Sequence, residues 1–220
     1  MVNGKKTEVF NSMGTEEKKE ELKHSLSMFN KYKDLLMELT RKNVKLKYRN
    51  SWLGIFWSFL QPLLNMIVLS VIFGALLARK KDGIVCYPVY LFSGRLIFEF
   101  FVTSTKQSLT AFRRNASIIK KVYVPKYMYP LSSTLSTFVT FAISTVCYVC
   151  VWLFFKITGF SGGSGLTLSW KIVLVFLPMI LLLMFSTGVG LILSVVNVYF
   201  RDVEYIWDVC TKLFMYMVPI

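Results

Sequence analysis

Arg95 and Glu99 stand one helical turn apart in a stretch, Gly83–Thr105, that carries no other charge. Two ionisable groups at membrane depth are costly unless they pair or face a wet cavity, which makes them functional candidates. An i, i+4 ion pair that neutralises itself on a buried face is the competing reading. A second concentration of charge is Arg41, Lys42, Lys45, Lys47 and Arg49, within nine positions and without an acid among them. Its chemistry is electrostatic: attraction to lipid or substrate phosphates, or a signal that fixes topology. A third is the acid-free stretch 106–126, with Lys106, Arg113, Arg114, Lys120, Lys121 and Lys126.

Bond-making chemistry has little to work with. The single histidine, His24, lies in a charged leader, and after Glu38 the acids are Asp82, Glu99, Asp202, Glu204 and Asp208. These form no acid/base or metal-ligand cluster, which argues against an intramembrane acyl- or glycosyltransferase. Cys147-x-x-Cys150 has redox spacing but lies among Val, Tyr and Trp, so its cysteines read as small buried hydrophobes. No G-x-x-x-x-G-K-[ST] loop is present, so ATP binding is expected in another protein. The net charge of +14 would suit nucleic acid, but no RNA- or DNA-binding motif accompanies it.

The elements that must position these residues are membrane helices. The sequence is 55% hydrophobic and 16% aromatic, beyond an ordinary soluble domain. Three uncharged runs, Asn50–Ala78, Tyr127–Phe155 and Ile172–Phe200, are each 29 residues long. A hydrocarbon core needs roughly 20 in helix. The expectation is an all-α polytopic membrane protein. After a cytoplasmic leader (1–30) come an interfacial amphipathic helix (31–50), four complete spans (52–78, 87–105, 128–155, 172–199) and the start of a fifth (205–220). The leader has no continuous apolar stretch, so the first span is expected to serve as its own insertion signal. Nineteen Lys and Arg fall on the side of the N-terminus and five on the other, which places the N-terminus in the cytoplasm.

Within this frame, Tyr32, Leu35, Leu36, Leu39, Asn43, Leu46, Asn50 and Leu53 form one helical stripe, with Arg41, Lys45 and Arg49 opposite and Lys42 and Lys47 flanking. Trp52 and Trp57 suit the headgroup boundary, and Pro62 needs neighbours that re-satisfy the backbone. The hydroxyl-rich third span and Gly188-x-Gly190 in the fourth permit close helix contact. Asp208 and Lys212 form another i, i+4 pair. Asn115–Pro125, NASIIKKVYVP, reads as a short helix closed by Pro125; its Ile118 and Ile119, in so charged a loop, call for a protein partner.

Several pieces, in this order, carry a likeness: Lys45-x-Lys47-Tyr48-Arg49-x-Ser51-x-Leu53-Gly54-x-x-Trp57, then Gln61-Pro62-Leu63, then Tyr90-Leu91-x-Ser93-Gly94 leading to Phe100-Phe101. Next come the 115–126 segment, Pro130-Leu131-Ser132, Arg201-Asp202, and Tyr216-x-x-Pro219-Ile220. From Tyr32 onward the chain resembles the membrane subunit of type-2 ABC exporters of bacterial surface polysaccharide, the O-antigen, capsule and teichoic-acid export permeases. The resemblance implies a permease of the bacterial cytoplasmic membrane that exports a lipid-linked or nascent polysaccharide. The 32–50 helix, with Arg41, Lys45, Tyr48 and Arg49, would be the gate helix where substrate enters. Asn115, Ile118, Ile119, Lys120, Lys121, Tyr123 and Pro125 would form a coupling helix docked on an ABC ATPase subunit, which would hold ATP and Mg; this chain would hold no cofactor. Arg201 and Asp202 would lie in a cytoplasmic loop. Two permeases would pair, with the glycan path between them among membrane lipids, and nucleic acid would not be a partner. Such permeases have six spans, so the sequence reads as truncated after the fifth begins. The alternatives are a type-2 permease for a drug or lipid and a non-functional fragment of such a permease.

Overall fold

The computed structural model describes residues 32–49, 52–77, 87–121, 124–158 and 176–217. The chain divides into two compact units, Met1–Leu39 and Thr40–Ile220. Of the first, residues 32–39 are described and lie in helix. Helix α1 covers residues 32–48. A 3-10 turn (Gly54–Phe56) leads to α2 (Trp57–Leu77), followed by α3 (Tyr87–Leu109) and two single-turn helices, α4 (Ala111–Arg114) and α5 (Ala116–Ile119). Then come α6 (Met128–Thr158), α7 (Phe176–Tyr199) and α8 (Val203–Met217). The described residues contain no strand. The expected leader, Tyr123 and Pro219-Ile220 lie outside them.

The expected stripe from Tyr32 to Leu53 is helical as far as Leu46, with Leu36 and Leu39 buried; Asn50 lies outside the described residues and Leu53 beyond the helix. The helix ends at residue 48, and Leu46 and Leu53 are exposed. The chain turns where Gly54 takes φ +51°, a left-handed conformation that disfavours any Cβ, and Phe56 N donates to Leu53 O at 3.0 Å. Trp52 and Trp57, either side of that turn, are both exposed.

Pro62 lies inside α2 and has no N–H for the carbonyl of Ser58, four residues earlier. Ser144 Oγ on α6 donates to that carbonyl at 3.1 Å, sharing its proton with Thr140 O at 3.2 Å. Three residues on, Cys147 Sγ lies 3.5 Å from Phe59 O. Cys147 is packed in an apolar cluster with Met66, Val89, Phe92, Val151 and Phe155, whereas Cys150, expected to be buried as well, is exposed.

The interior is more polar than the surface. Ser104, Thr105 and Ser108 of α3, Ser132 and Thr134 of α6, and Ser186 and Ser194 of α7 are buried. On α7, Leu177, Ile180, Leu181, Met184 and Phe185 are exposed. Water would penalise that inversion, whereas lipid favours apolar exteriors and small hydroxyl residues at helix contacts. Met128–Thr158 and Leu177–Tyr199 are long and apolar enough to cross a membrane. α3 packs most extensively on α6 and α7. Ser108 Oγ bonds to Thr134 Oγ1 at 2.9 Å and donates to Pro130 O at 3.2 Å, and Asn197 Nδ2 donates to Leu109 O at 2.9 Å. A Cβ on Gly190 would lie 2.8 Å from Ser108 Cβ, while Gly188 faces open space. Of the two glycines expected to permit close contact, Gly190 alone does so.

Candidate functional site

A half-open cavity of about 80 Å³ lies where the end of α1 and the first two turns of α2 meet α3 and α6. α1 brings Lys47 and Tyr48, α2 brings Gln61 and Asn65, α3 brings Arg95, Glu99 and Thr103, and α6 brings Thr137 and Thr140. Tyr48 and Ser58 are joined hydroxyl to hydroxyl, which fixes the end of α1 against the start of α2. Lys47 Nζ lies 5.5 Å from the centre of the Tyr48 ring. Phe92, Phe100 and Phe141 form the apolar wall, with the last two rings 4.8 Å apart.

The competing reading, an ion pair between Arg95 and Glu99, is not what the structure has: no salt bridge joins them among the described residues. Arg95 Nη1 instead meets Met215 Sδ of α8 at 3.2 Å, a weak acceptor, and its Nε is buried without a partner. Nor is Asp208 paired with Lys212 one turn on. Asp208 Oδ1 binds Lys106 Nζ across two helices at 2.6 Å. One turn earlier on α8, Glu204 Oε2 binds Arg113 Nη2 of α4 at 2.8 Å. Trp207 Nε1 donates to Thr105 Oγ1 at 3.1 Å between these pairs. Asp208 thus pairs between helices, although its i, i+4 spacing from Lys212 would have allowed a local pair.

Of the residues expected on the gate helix, Arg41, Lys45 and Arg49 stand exposed, and Tyr48 alone reaches the cavity. In the basic stretch, α5 ends at Ile119, with Lys120 as its C-cap, well before Pro125. Pro125 does not close it; the Pro125 carbonyl accepts from Met128 N at 3.0 Å and so opens α6. Asn115 is buried, its Nδ2 donating to Ala111 O at 2.9 Å while its carbonyl accepts from Ile118 N and Ile119 N, each at 3.0 Å. It shapes the corner between α4 and α5. Ile118 and Ile119 are half-buried, and Lys120 and Lys121 are exposed. Arg201 and Asp202 form the turn from α7 to α8, where the Asp202 carbonyl accepts from Tyr205 N and Ile206 N at 3.1 Å.

Residues 34–220 match the family described as ABC-2 type transporter. The chain belongs to the ABC-2 type transporter family. It is similar to an O-antigen export system permease protein RfbA of Klebsiella pneumoniae, 33% identical over 187 residues, which are 85% of this chain and 68% of that protein. The RfbA of Myxococcus xanthus is 28% identical over 189 residues, 86% of this chain and 68% of the relative. The polysialic acid transport protein KpsM of Escherichia coli is 26% identical over 175 residues, 78% of this chain and 63% of the relative. As an ABC-2 chain it is an integral membrane protein and a transport subunit.

In this ABC-2 chain the motif residues have visible work. Gly54 makes the turn between α1 and α2, and Pro62 is matched by Ser144. Sequence reasoning missed Lys47 as a cavity residue, because the helical wheel put it at the edge of the stripe. It missed Asn65 and Thr103 altogether, since single polar residues in apolar runs carry no spacing signal.

Proposed function

We propose that this chain is the permease subunit of an ATP-driven exporter of a lipid-linked or nascent polysaccharide across the cytoplasmic membrane. The observation that carries this reading is the likeness, over 85% of the chain, to a protein named an O-antigen export permease. ATP and Mg would be bound by a separate ABC ATPase. The chain would cross the membrane with α2, α3, α6 and α7, its N-terminus and the α4–α5 corner in the cytoplasm, and α8 beginning a fifth span. α1 would lie at the inner surface, with the exposed Arg41, Lys45 and Arg49 facing lipid or substrate phosphates. The α4–α5 corner would dock on the ATPase through Ile118, Ile119 and Tyr123, with Lys120 and Lys121 at the rim. Two copies would pair, and ATP-driven closure of the ATPases would rock the helices around the glycan path.

Deleting the gene should leave polymer inside the cell and strip it from the surface, and expressing the permease with its ATPase should restore surface polymer. Normal surface polymer after deletion would overturn the reading. The α4–α5 role has its own test. Ile119→Asp places a charge in the docking patch and should cut co-purification of the ATPase at least tenfold, as expected for a charge in an apolar interface. Unchanged co-purification would remove α5 from the interface.

A further inference from the structure

We infer that α8 is a lever: the α4–α5 corner drives its start through Arg113 and Glu204, Trp207 is its pivot, and its far half swings. The inference rests on the proposed docking of the ATPase at that corner and adds positioning residues that carry the movement onward. The drive joint is stiff on the corner's side. Arg113 lies in α4, two residues before the buried Asn115, whose side chain holds Ala111 O and whose carbonyl takes Ile118 N and Ile119 N, so Arg113 moves with the docking residues. Its Nη2 reaches both carboxylate oxygens of Glu204, at 2.8 and 3.2 Å. The pivot follows one turn later. Trp207 Nε1 donates to Thr105 Oγ1 at 3.1 Å, its ring stands edge-on to Phe101 with 6.3 Å between centres, and Asp208 binds Lys106 at 2.6 Å. Thr105 is fully buried and its own hydroxyl donates to Phe101 O at 2.8 Å, which fixes the bearing on α3.

The far half of α8 is held differently. Thr211 is buried, yet its hydroxyl serves its own helix, donating to Asp208 O at 3.0 Å. From Lys212 to Met217 every residue is exposed. Among the described residues, the polar contact of this half with the bundle is Arg95 Nη1 on Met215 Sδ at 3.2 Å, and sulfur is a weak acceptor. The helix is therefore fastened at its start and lightly held at its end. Its sequence, VEYIWDVCTKLFMYM, has no glycine or proline to bend it, so it moves as one rod. Along that rod Glu204 stands about 4.5 Å before Trp207 and Met215 about 12 Å beyond it. A displacement at Glu204 is thus magnified about two- to threefold at Met215, in the opposite direction. The Arg113–Glu204 pair is half in solvent and adds little stability, so it can be cut without unfolding the bundle.

The test uses the full chain in complex with its ATPase in detergent, without cargo. In a cysteine-free background, Tyr205→Cys or Tyr216→Cys, both at exposed positions of α8, carries a bimane fluorophore. A saturating non-hydrolysable ATP analogue should change the fluorescence several-fold more at 216, about 13.5 Å from the pivot, than at 205, about 3 Å from it. Glu204→Lys should abolish the response at 216 while the ATPase still co-purifies at the wild-type level, and Glu204→Lys with Arg113→Glu should restore it. A pair that served stability alone would shift the unfolding midpoint and leave the nucleotide response in place. Equal changes at 205 and 216, or an undiminished response in Glu204→Lys, would overturn the lever and leave the ATPase docking standing. Loss of the ATPase from the wild-type complex would remove the docking and the lever together. Should Glu204→Lys fail to fold, Glu204→Gln keeps the side chain's shape, removes its charge and must still lose the response at 216.

Discussion

Gly190 and Gly188 lie two residues apart on α7 and should respond oppositely to the same change. A methyl at Gly190 would meet Ser108 Cβ at 2.8 Å and Oγ at 2.9 Å, so α7 must move off α3 or Ser108 must leave Thr134. Overpacking of this kind costs about 1–3 kcal/mol. Gly190→Ala should therefore lower the midpoint of thermal unfolding in detergent, while Gly188→Ala, with open space around it, should leave it unchanged or raise it slightly. Ser144 makes a comparable case by a different mechanism. Ser144→Ala removes the donor that serves the Ser58 carbonyl exposed by Pro62, and an unsatisfied buried acceptor costs about 1–3 kcal/mol. The loss should be recovered when Pro62→Ala restores the helical N–H. A double mutant no more stable than Ser144→Ala alone would show that this hydrogen bond does not compensate for the proline.

Among the elements, α8 is tied to α3 and α4 by two ion pairs a turn apart, Lys106–Asp208 and Arg113–Glu204. All four side chains are at least one-third exposed, so each pair should contribute only about 0.2–1 kcal/mol and weaken with salt. Their consequence is orientation. The Lys106→Asp single variant should lose transport beyond what its small stability change explains, and Lys106→Asp with Asp208→Lys should recover it. Transport assayed with the ATPase present checks this; failure of the charge swap to recover would leave the pair a surface contact. These cross-helix pairs also show what the sequence could and could not disclose. Apolar runs, glycine and proline positions and the basic stretches disclosed the helices and their order, because they depend on local composition. The pairing of Asp208 with Lys106, rather than with Lys212, depends on how α8 packs on α3, which no local spacing records. The same holds for the cavity: Arg95 and Glu99 were visible as anomalies, but Lys47, Asn65 and Thr103 join them only through the turn at Gly54 and the register of α3 against α6. The 3-10 turn was itself half visible, as a glycine between two helical patterns.

For the molecule as a whole, the inversion of polarity and the charge asymmetry must agree on one orientation. α6 has 31 residues, about 46 Å of helix, longer than the ~30 Å hydrocarbon core. Its first turns carry buried Ser132, Ser133, Thr134, Ser136 and Thr137, while Val146, Val149, Leu153 and Phe154 further along are exposed. The hydroxyl-rich start therefore suits the protein-packed inner boundary and the apolar remainder suits lipid. The two ends of α6 should face opposite compartments. In a cysteine-free background, Lys121→Cys, just before α6, should react with a membrane-impermeant maleimide only in inside-out vesicles. Thr158→Cys, at the other end, should react only in intact cells or spheroplasts. Reaction of both from one side would break the helix assignment. A reversed pattern would leave the fold intact but move the basic α4–α5 corner away from any cytoplasmic ATPase, and with it the coupling role. Labelling at Lys121 should also fall when the ATPase is bound, since the exposed lysines then lie at a protein rim rather than in water.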